Sequence, residues 1–163
     1  MIQELEALNS TETELMLDAV PLVTVLIAGA DGKIDTKELS WSAKITEIRS
    51  YSYHDSLRPY YTKVGENFSE KVQALIEQFP NEVEQRNAAI SSQLEGLNTI
   101  FPKLDPNFAR RFYKSLLSFA EHVAKASGGF LRFGNVSKVE KDLLGLPMIE
   151  EPLLPDAEEE VES

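Results

Sequence analysis

Apolar residues return every three or four positions from Leu15 onward, the period of a helix that buries one side. Leu15, Ala19, Leu22 and Leu26 form the first stripe, with Met16, Val23, Ile27 and Ala30 beside it. Thr11 and Glu14 have the spacing of a capping box and predict the start of that helix. Met1–Leu8 reads as a short helical lead-in. Pro21 falls inside the stripe, where it removes the bond to the Leu17 carbonyl and predicts a bend. The stripe stops at Asp31-Gly32, with Gly32 supplying the positive φ that ends a helix. A second helix opens at Asp35 or Thr36, where Asp35 and Glu38 repeat the cap spacing, and runs to about Ser50. It turns Leu39, Ala43 and Ile45 or Ile48 inward, with Trp41 at its edge. Two helices therefore turn back on each other around Ala28–Leu39.

Tyr51–Lys63 holds four of the five tyrosines and one of the two histidines, and reads as a connector packing its aromatics on the shoulder of a bundle. Residues 66–98 read as two helices end to end. The first presents Phe68, Val72, Leu75, Ile76 and Phe79; the second presents Val83, Ile90, Leu94 and Leu97. Pro80 marks the joint, and Asn81 with Glu84 predicts a fresh cap. Asp105 and Pro106 then open a helix as N-cap and first residue. Its inward face is Phe108, Phe112, Leu116, Phe119, Ala120 and Val123, and it ends at Ser127-Gly128-Gly129. Gly145 and Pro147 close a last short helix.

The chain also repeats itself. Residues 28–32 are answered by 124–128, and 33–38 by 135–140 after a six-residue insertion, GFLRFG, which sets Phe130, Leu131 and Phe133 on a glycine-flanked loop. The pattern predicts an all-α fold of about seven helices in two pseudo-repeated halves, one domain over 1–149. The stretch 150–163 has too few apolar groups and too much like charge to fold alone. It reads as a disordered acidic tail, with Leu153 and Leu154 as its anchor.

Charge sharpens this division. The net charge is -11, and residues 103–149 carry 8 basic and 4 acidic side chains, while 150–163 carry none and 7. An acidic whole argues against nonspecific nucleic-acid binding, and the basic third segment leaves room for an anionic partner or for the tail itself. The absence of cysteine excludes disulfides and thiolate metal centres. With no basic, apolar leader at the start and no apolar run of spanning length, the expectation is a soluble cytoplasmic chain without a transmembrane segment.

Candidate chemistry gathers at one corner. Asp31-Gly32-x-Ile34-Asp35-x-x-Glu38 follows the second half of a calcium-binding EF-hand loop, but the first half offers Ile27 and Gly29 where carboxylates are needed. Asp31, Asp35 and Glu38 are the residues that would gather a weakly held divalent cation, calcium, magnesium or zinc. Capping of the helix ends explains the same three residues and is the reading their spacing favours. Catalytic motifs are missing: His54 and His122 are far apart, and there is no His-Glu-x-x-His, no G-x-S-x-G and no phosphate loop. His122 reads as a partly buried packing residue.

A helix ending Ala28-Gly29-Ala30-Asp31-Gly32, followed by Lys33-Ile34-Asp35-Thr36-Lys37-Glu38-Leu39, resembles the TerB-like tellurite-resistance domain. Val123–Leu144 looks like the corresponding C-terminal part of that family. The resemblance implies a non-enzymatic helical domain of bacterial stress responses to tellurite, phage and other insults. Such a domain acts through protein partners, often near the inner membrane, and its clustered acids are matched here by Asp31, Asp35 and Glu38. The second copy departs, with Ser127 and Ser137 in place of acids and only Glu140 remaining. Two other classes stay open: a metal-dependent sensor or enzyme using the same acids, and a structural scaffold binding a basic partner through the acidic tail.

Overall fold

The computed structural model describes residues 2–126 and 138–153, all helix and connection, with no strand among the described residues. After a 3-10 turn at Gln3–Leu5 come α1 (Ser10–Ala28), α2 (Thr36–Arg49), α3 (Arg58–Gly65), α4 (Phe68–Gln78) and α5 (Val83–Glu95). The short α6 (Leu97–Ile100) runs into a 3-10 turn at Phe101–Lys103, followed by α7 (Pro106–Ala126) and α8 (Lys138–Leu143).

α1 is the axis. From Ala19 to Ala30 every residue is buried, so the second half of the helix has no solvent side, and α1 packs against each of α2 to α8. An amphipathic stripe is therefore too narrow a description. A helix apolar all round must be surrounded, and Val20, Val25 and Thr24 are as hidden as the stripe residues. The Thr24 hydroxyl is satisfied within the helix by donating to the Val20 carbonyl at 2.9 Å. Pro21 does lie inside α1, where it leaves the Leu17 carbonyl without its helical donor. On the adjacent carbonyl, Met16, the fully buried Tyr60 hydroxyl donates at 2.6 Å.

The start of α1 differs from the sequence expectation. Asn9, not Thr11, is the cap: its side chain accepts from the Glu12 amide while Glu12 accepts from the Asn9 amide. Both pairs have the box spacing, asparagine is at least as good a cap as threonine, and the earlier start adds helical bonds. α5 likewise starts from Glu82 rather than Asn81, because the Glu82 carboxylate accepts from the Glu84 and Gln85 amides. The Asn81 carbonyl is taken by Arg86 at 3.3 Å. Asp105 caps α7 as expected, accepting from the Phe108 amide at 3.0 Å.

α2 turns a polar face inward. Its buried residues are Glu38, Ser42, Ile45, Thr46 and Arg49, whereas Leu39, Ala43 and Ile48 are only half-buried. Ser42 and Thr46 donate to the carbonyls four residues back, at 2.7 and 2.9 Å, so their hydroxyls need no outside partner and the face stays slim enough to pack on α7. By contrast α7 follows its apolar period closely, with Phe108, Phe112, Leu116, Phe119, Ala120 and Val123 all buried. Tyr60 and Tyr61 are fully buried with edge-to-face rings 5.2 Å apart, and Tyr60 meets Phe112 in the same way at 4.9 Å. Tyr60 and Tyr61 are thus part of the core, while the first half of the segment, from Tyr51 to Asp55, stays at the surface.

At the far end Leu146 adopts a left-handed φ of 46° while fully buried, so core packing outweighs the steric cost at this residue. Asn98 then brackets the chain, donating to the Met148 carbonyl at 3.0 Å and accepting from the Glu150 amide at 2.8 Å. Arg110 pairs with Glu151 at 2.9 Å and donates to the Pro152 carbonyl. The first residues of the expected tail are therefore pinned to the body. Leu153, 75% exposed, is no anchor. Leu154, the insertion with Phe130, Leu131 and Phe133, and the second corner of the repeat lie outside the described residues.

Gly32 sits at φ 110°, and a Cβ there would meet only Val83, in ordinary contact at 3.9 Å. Conformation rather than crowding therefore fixes glycine there, and Gly32→Val is expected to cost about 1–2 kcal/mol in urea denaturation. An unchanged midpoint would show that the corner relaxes without a left-handed residue.

Candidate functional site

The corner between α1 and α2 is built by backbone carbonyls, a cap and an arginine. The Asp35 carboxylate accepts from the Lys37 and Glu38 amides at 2.8 and 3.2 Å. Its own amide donates to the Ala28 carbonyl at 3.0 Å, so the expected return bond from Glu38 is replaced by one that closes the loop. Asp31 is exposed, and Glu38 is buried at 3% exposure on the inner face of α2. Arg86 of α5, 4% exposed, donates to the Gly29 carbonyl at 2.6 Å and to the Gly32 carbonyl at 3.5 Å. Asn87 adds a bond to the Ala30 carbonyl at 3.3 Å. A Cβ on Gly29 would stand 2.6 Å from the guanidinium, so glycine there lets the arginine reach the loop.

This arrangement bears on the cation reading. A divalent ion held at the corner would compete with a guanidinium already seated on its carbonyls, and Asp35 spends one carboxylate oxygen, Oδ1, on two amides. Among the described residues no three His, Cys, Asp or Glu side chains gather as a metal set. Caps and an arginine brace account for the donors at this corner.

A second buried arginine links α2 to α7. Arg49, 5% exposed, donates to the Tyr61 hydroxyl at 2.8 Å, the Ser115 carbonyl at 2.9 Å and the Ser118 hydroxyl at 2.8 Å. Its guanidinium lies 4.4 Å from the Tyr53 ring centroid, 5.3 Å from Tyr61 and 5.6 Å from Phe119. Aromatic faces and neutral oxygens solvate the charge where a carboxylate more often would. Burial pushes the Tyr60 and Tyr61 hydroxyls above their ordinary range, so both remain donors.

The outer side of α7 is cationic. Arg111, Lys114, Ser118, His122 and Lys125 recur at three- and four-residue steps, opposite the phenylalanine stripe. Arg111 and Lys114 have no acidic partner among the described residues. Antiparallel to this face runs the N-terminal part of α2, and between them Thr36, Lys37, Ser40, Trp41, His122 and Lys125 line an open groove of about 700 Å³. Trp41, 41% exposed, and Tyr51, 64% exposed just beyond α2, are large aromatics left facing solvent. His122 belongs to this surface rather than to the packing. Desolvation, then the positive charges of Arg49 and Lys125, hold its pKa below the ordinary value, against a small opposing pull from Glu121.

The sequence flagged neither arginine. Both occupy core register, Arg49 four residues after Ile45 and Arg86 four before Ile90, but charge at an inward position argues for the surface unless its partners are known. His54, exposed, makes only a local contact with Ser56. Nothing described brings it near His122.

Two measurements follow from this geometry. Arg86→Met strands loop carbonyls and is expected to cost about 1–3 kcal/mol, with no recovery on adding divalent metal; recovery would show that an ion takes over the guanidinium's place. His122 is expected to titrate below about 6.5 by NMR. The unfolded chain then binds the proton first, so stability falls as pH drops through that value and toward the folded pKa, and His122→Gln should flatten that slope. A midpoint above the ordinary value would contradict the cationic surroundings. In comparison with known proteins, no family model, no curated protein and no solved structure matches the chain.

Proposed function

We propose that this chain is a non-enzymatic helical interaction module of the TerB-like kind, acting in a stress response through an acidic protein partner. The observation that carries the reading is the two-faced α7: phenylalanines fix it in the core while Arg111, Lys114, His122 and Lys125 present one cationic face beside the exposed Trp41. Lysine and arginine spread along a helix at this spacing suit a complementary acidic surface, and an exposed tryptophan supplies the apolar contact that such interfaces centre on. No helix is long and apolar enough to cross a membrane among the described residues. On this reading Asp31, Asp35 and Glu38 form and stabilise the corner, and signalling by a bound cation is the alternative.

Arg111→Glu together with Lys114→Glu reverses the face without touching a described hydrogen bond. In cells that depend on the chain under tellurite or phage stress, this variant is expected to fold normally and lose protection, and full protection would remove the reading. Calorimetric titration with calcium, magnesium, zinc and manganese separates the alternative. No heat of binding is expected, and a saturable site lost in Asp35→Ala would favour the cation sensor.

A further inference from the structure

Large apolar side chains left in water are few in this molecule: among the described residues they are Trp41, Tyr51 and Leu153. Two of the three lie along one helix. The Ser50 backbone that follows α2 is still helical, at φ -72° and ψ -19°, and the Tyr51 amide donates to the Ile48 carbonyl at 3.2 Å, so the spiral carries on to Tyr51. Trp41, Lys44, Ile48 and Tyr51 therefore follow one another at three- and four-residue steps along a single stripe, outside the buried face of Ser42, Ile45, Thr46 and Arg49. Trp41 is 41% and Tyr51 64% exposed, with Ile48 half-buried between them. Beside the stripe Lys44 and Glu47 pair at 3.6 Å, each more than half exposed. The pattern is nearly the same from either end: Trp41 and Tyr51 stand five residues before and five after Thr46, and Lys44 and Glu47 straddle it. An aromatic at each end with opposite charges across the middle is a surface that complements itself. Turned end for end by a two-fold axis, a second α2 sets Tyr51 against Trp41 and Glu47 against Lys44, and the reverse pairs follow by symmetry.

We infer that two copies of this chain associate through the outer faces of α2, antiparallel about a two-fold axis at the level of Thr46, with the Trp41 ring of each packed on the Tyr51 ring of the other and Lys44–Glu47 pairs bridging the centre. Tryptophan and tyrosine are the large, rigid anchors that interfaces favour. The net charge of the chain is -11, but the exposed charges of α2 are Lys37, Lys44 and Glu47, so two copies meet here without setting acid against acid. A stripe about 15 Å long, at 1.5 Å per residue, buries less than the about 1,200–2,000 Å² of lasting complexes, so the pair forms and parts readily. Trp41 also borders the cationic face of α7, and a second copy and an acidic partner therefore exclude each other there. Nothing in this contact requires the charge on α7, so it stands or falls apart from the proposed partner.

Trp41 is the only tryptophan, so its indole signal reads the contact by NMR. Within one chain Trp41 and Tyr51 are about 15 Å apart along the helix, too far for a nuclear Overhauser effect, so such an effect between their rings arises only between copies. Expected for the full chain is an average mass by sedimentation equilibrium that rises from one chain toward two between about 10 µM and about 1 mM. At the upper end a Trp41–Tyr51 effect should join an isotope-labelled copy to an unlabelled one. Lys44→Glu and Glu47→Lys each set like charge against like, and each variant alone should stay monomeric over the same range, with its melting curve unchanged because both positions are exposed. Mixed together, the two variants restore opposite charges across the axis and should pair. A mass that stays at one chain overturns the inference, as does a pair that either single reversal leaves intact, a mixture that stays monomeric, or a pair in which Trp41 and Tyr51 do not meet. None of these outcomes touches the partner reading, which is scored by the Arg111→Glu/Lys114→Glu variant in cells.

Discussion

Everything in this fold depends on hiding α1 from water on all sides. Twelve consecutive buried positions, Ala19 to Ala30, leave no strip along which the helix could lie on a surface. At roughly 25 cal/mol per Å² of apolar area, leaving even one side wet would forfeit several side chains' worth of burial. The other helices are therefore a jacket: α2 to α8 each pack on α1, α2 also packs on α7 and α3, and Leu146 and Ile149 add to the buried core. Of the two expected halves, the corner of the second lies outside the described residues. The first hairpin exists, since α1 and α2 pack together across the Asp31–Asp35 corner, yet α8 packs on the axis of that hairpin.

A jacket around one rod needs its members held in register, and two buried arginines do much of that. Arg86 ties α5 to the loop that ends α1; Arg49 ties α2 to α7 through Ser115 and Ser118 and to α3 through Tyr61. The Arg49 guanidinium is held by a carbonyl, hydroxyls and ring faces, and the Arg86 guanidinium by loop carbonyls that leave its Nε without a partner, geometry that apolar contacts alone do not specify. With α7 fixed from inside by Arg49 and the phenylalanines, its outer face is free to be chosen for charge. That leaves the cationic stripe set rigidly beside the exposed Trp41, the arrangement on which the proposed binding role rests.

The parts of this that were legible in the sequence are the ones governed by period alone. The α7 stripe, the Asp105-Pro106 start and the α4 face follow directly from spacing. Capping was legible as chemistry but not as position, because Asn9 and Thr11, or Asn81 and Glu82, offer competing boxes whose choice depends on the rest of the fold. α2 misled because its inward residues are small hydroxyls bonded to their own helix, which look like a solvent face. For the candidate site, the corner and its Asp35 cap were legible, but the arginine that occupies it comes from 57 residues away, and no local pattern announces such a contact. The cationic face of α7 was visible only as a charge excess until the helix phase gave it a side.

Native-state hydrogen exchange tests the central role of α1 most directly. A helix jacketed on every side opens only when the whole molecule does, so the amides of Leu22 to Ala28 are expected to exchange at the free energy of global unfolding, at least as slowly as any in α7 and more slowly than those of α4 and α5. Exchange of those α1 amides through local openings, at a free energy below that of the surrounding helices, would contradict it.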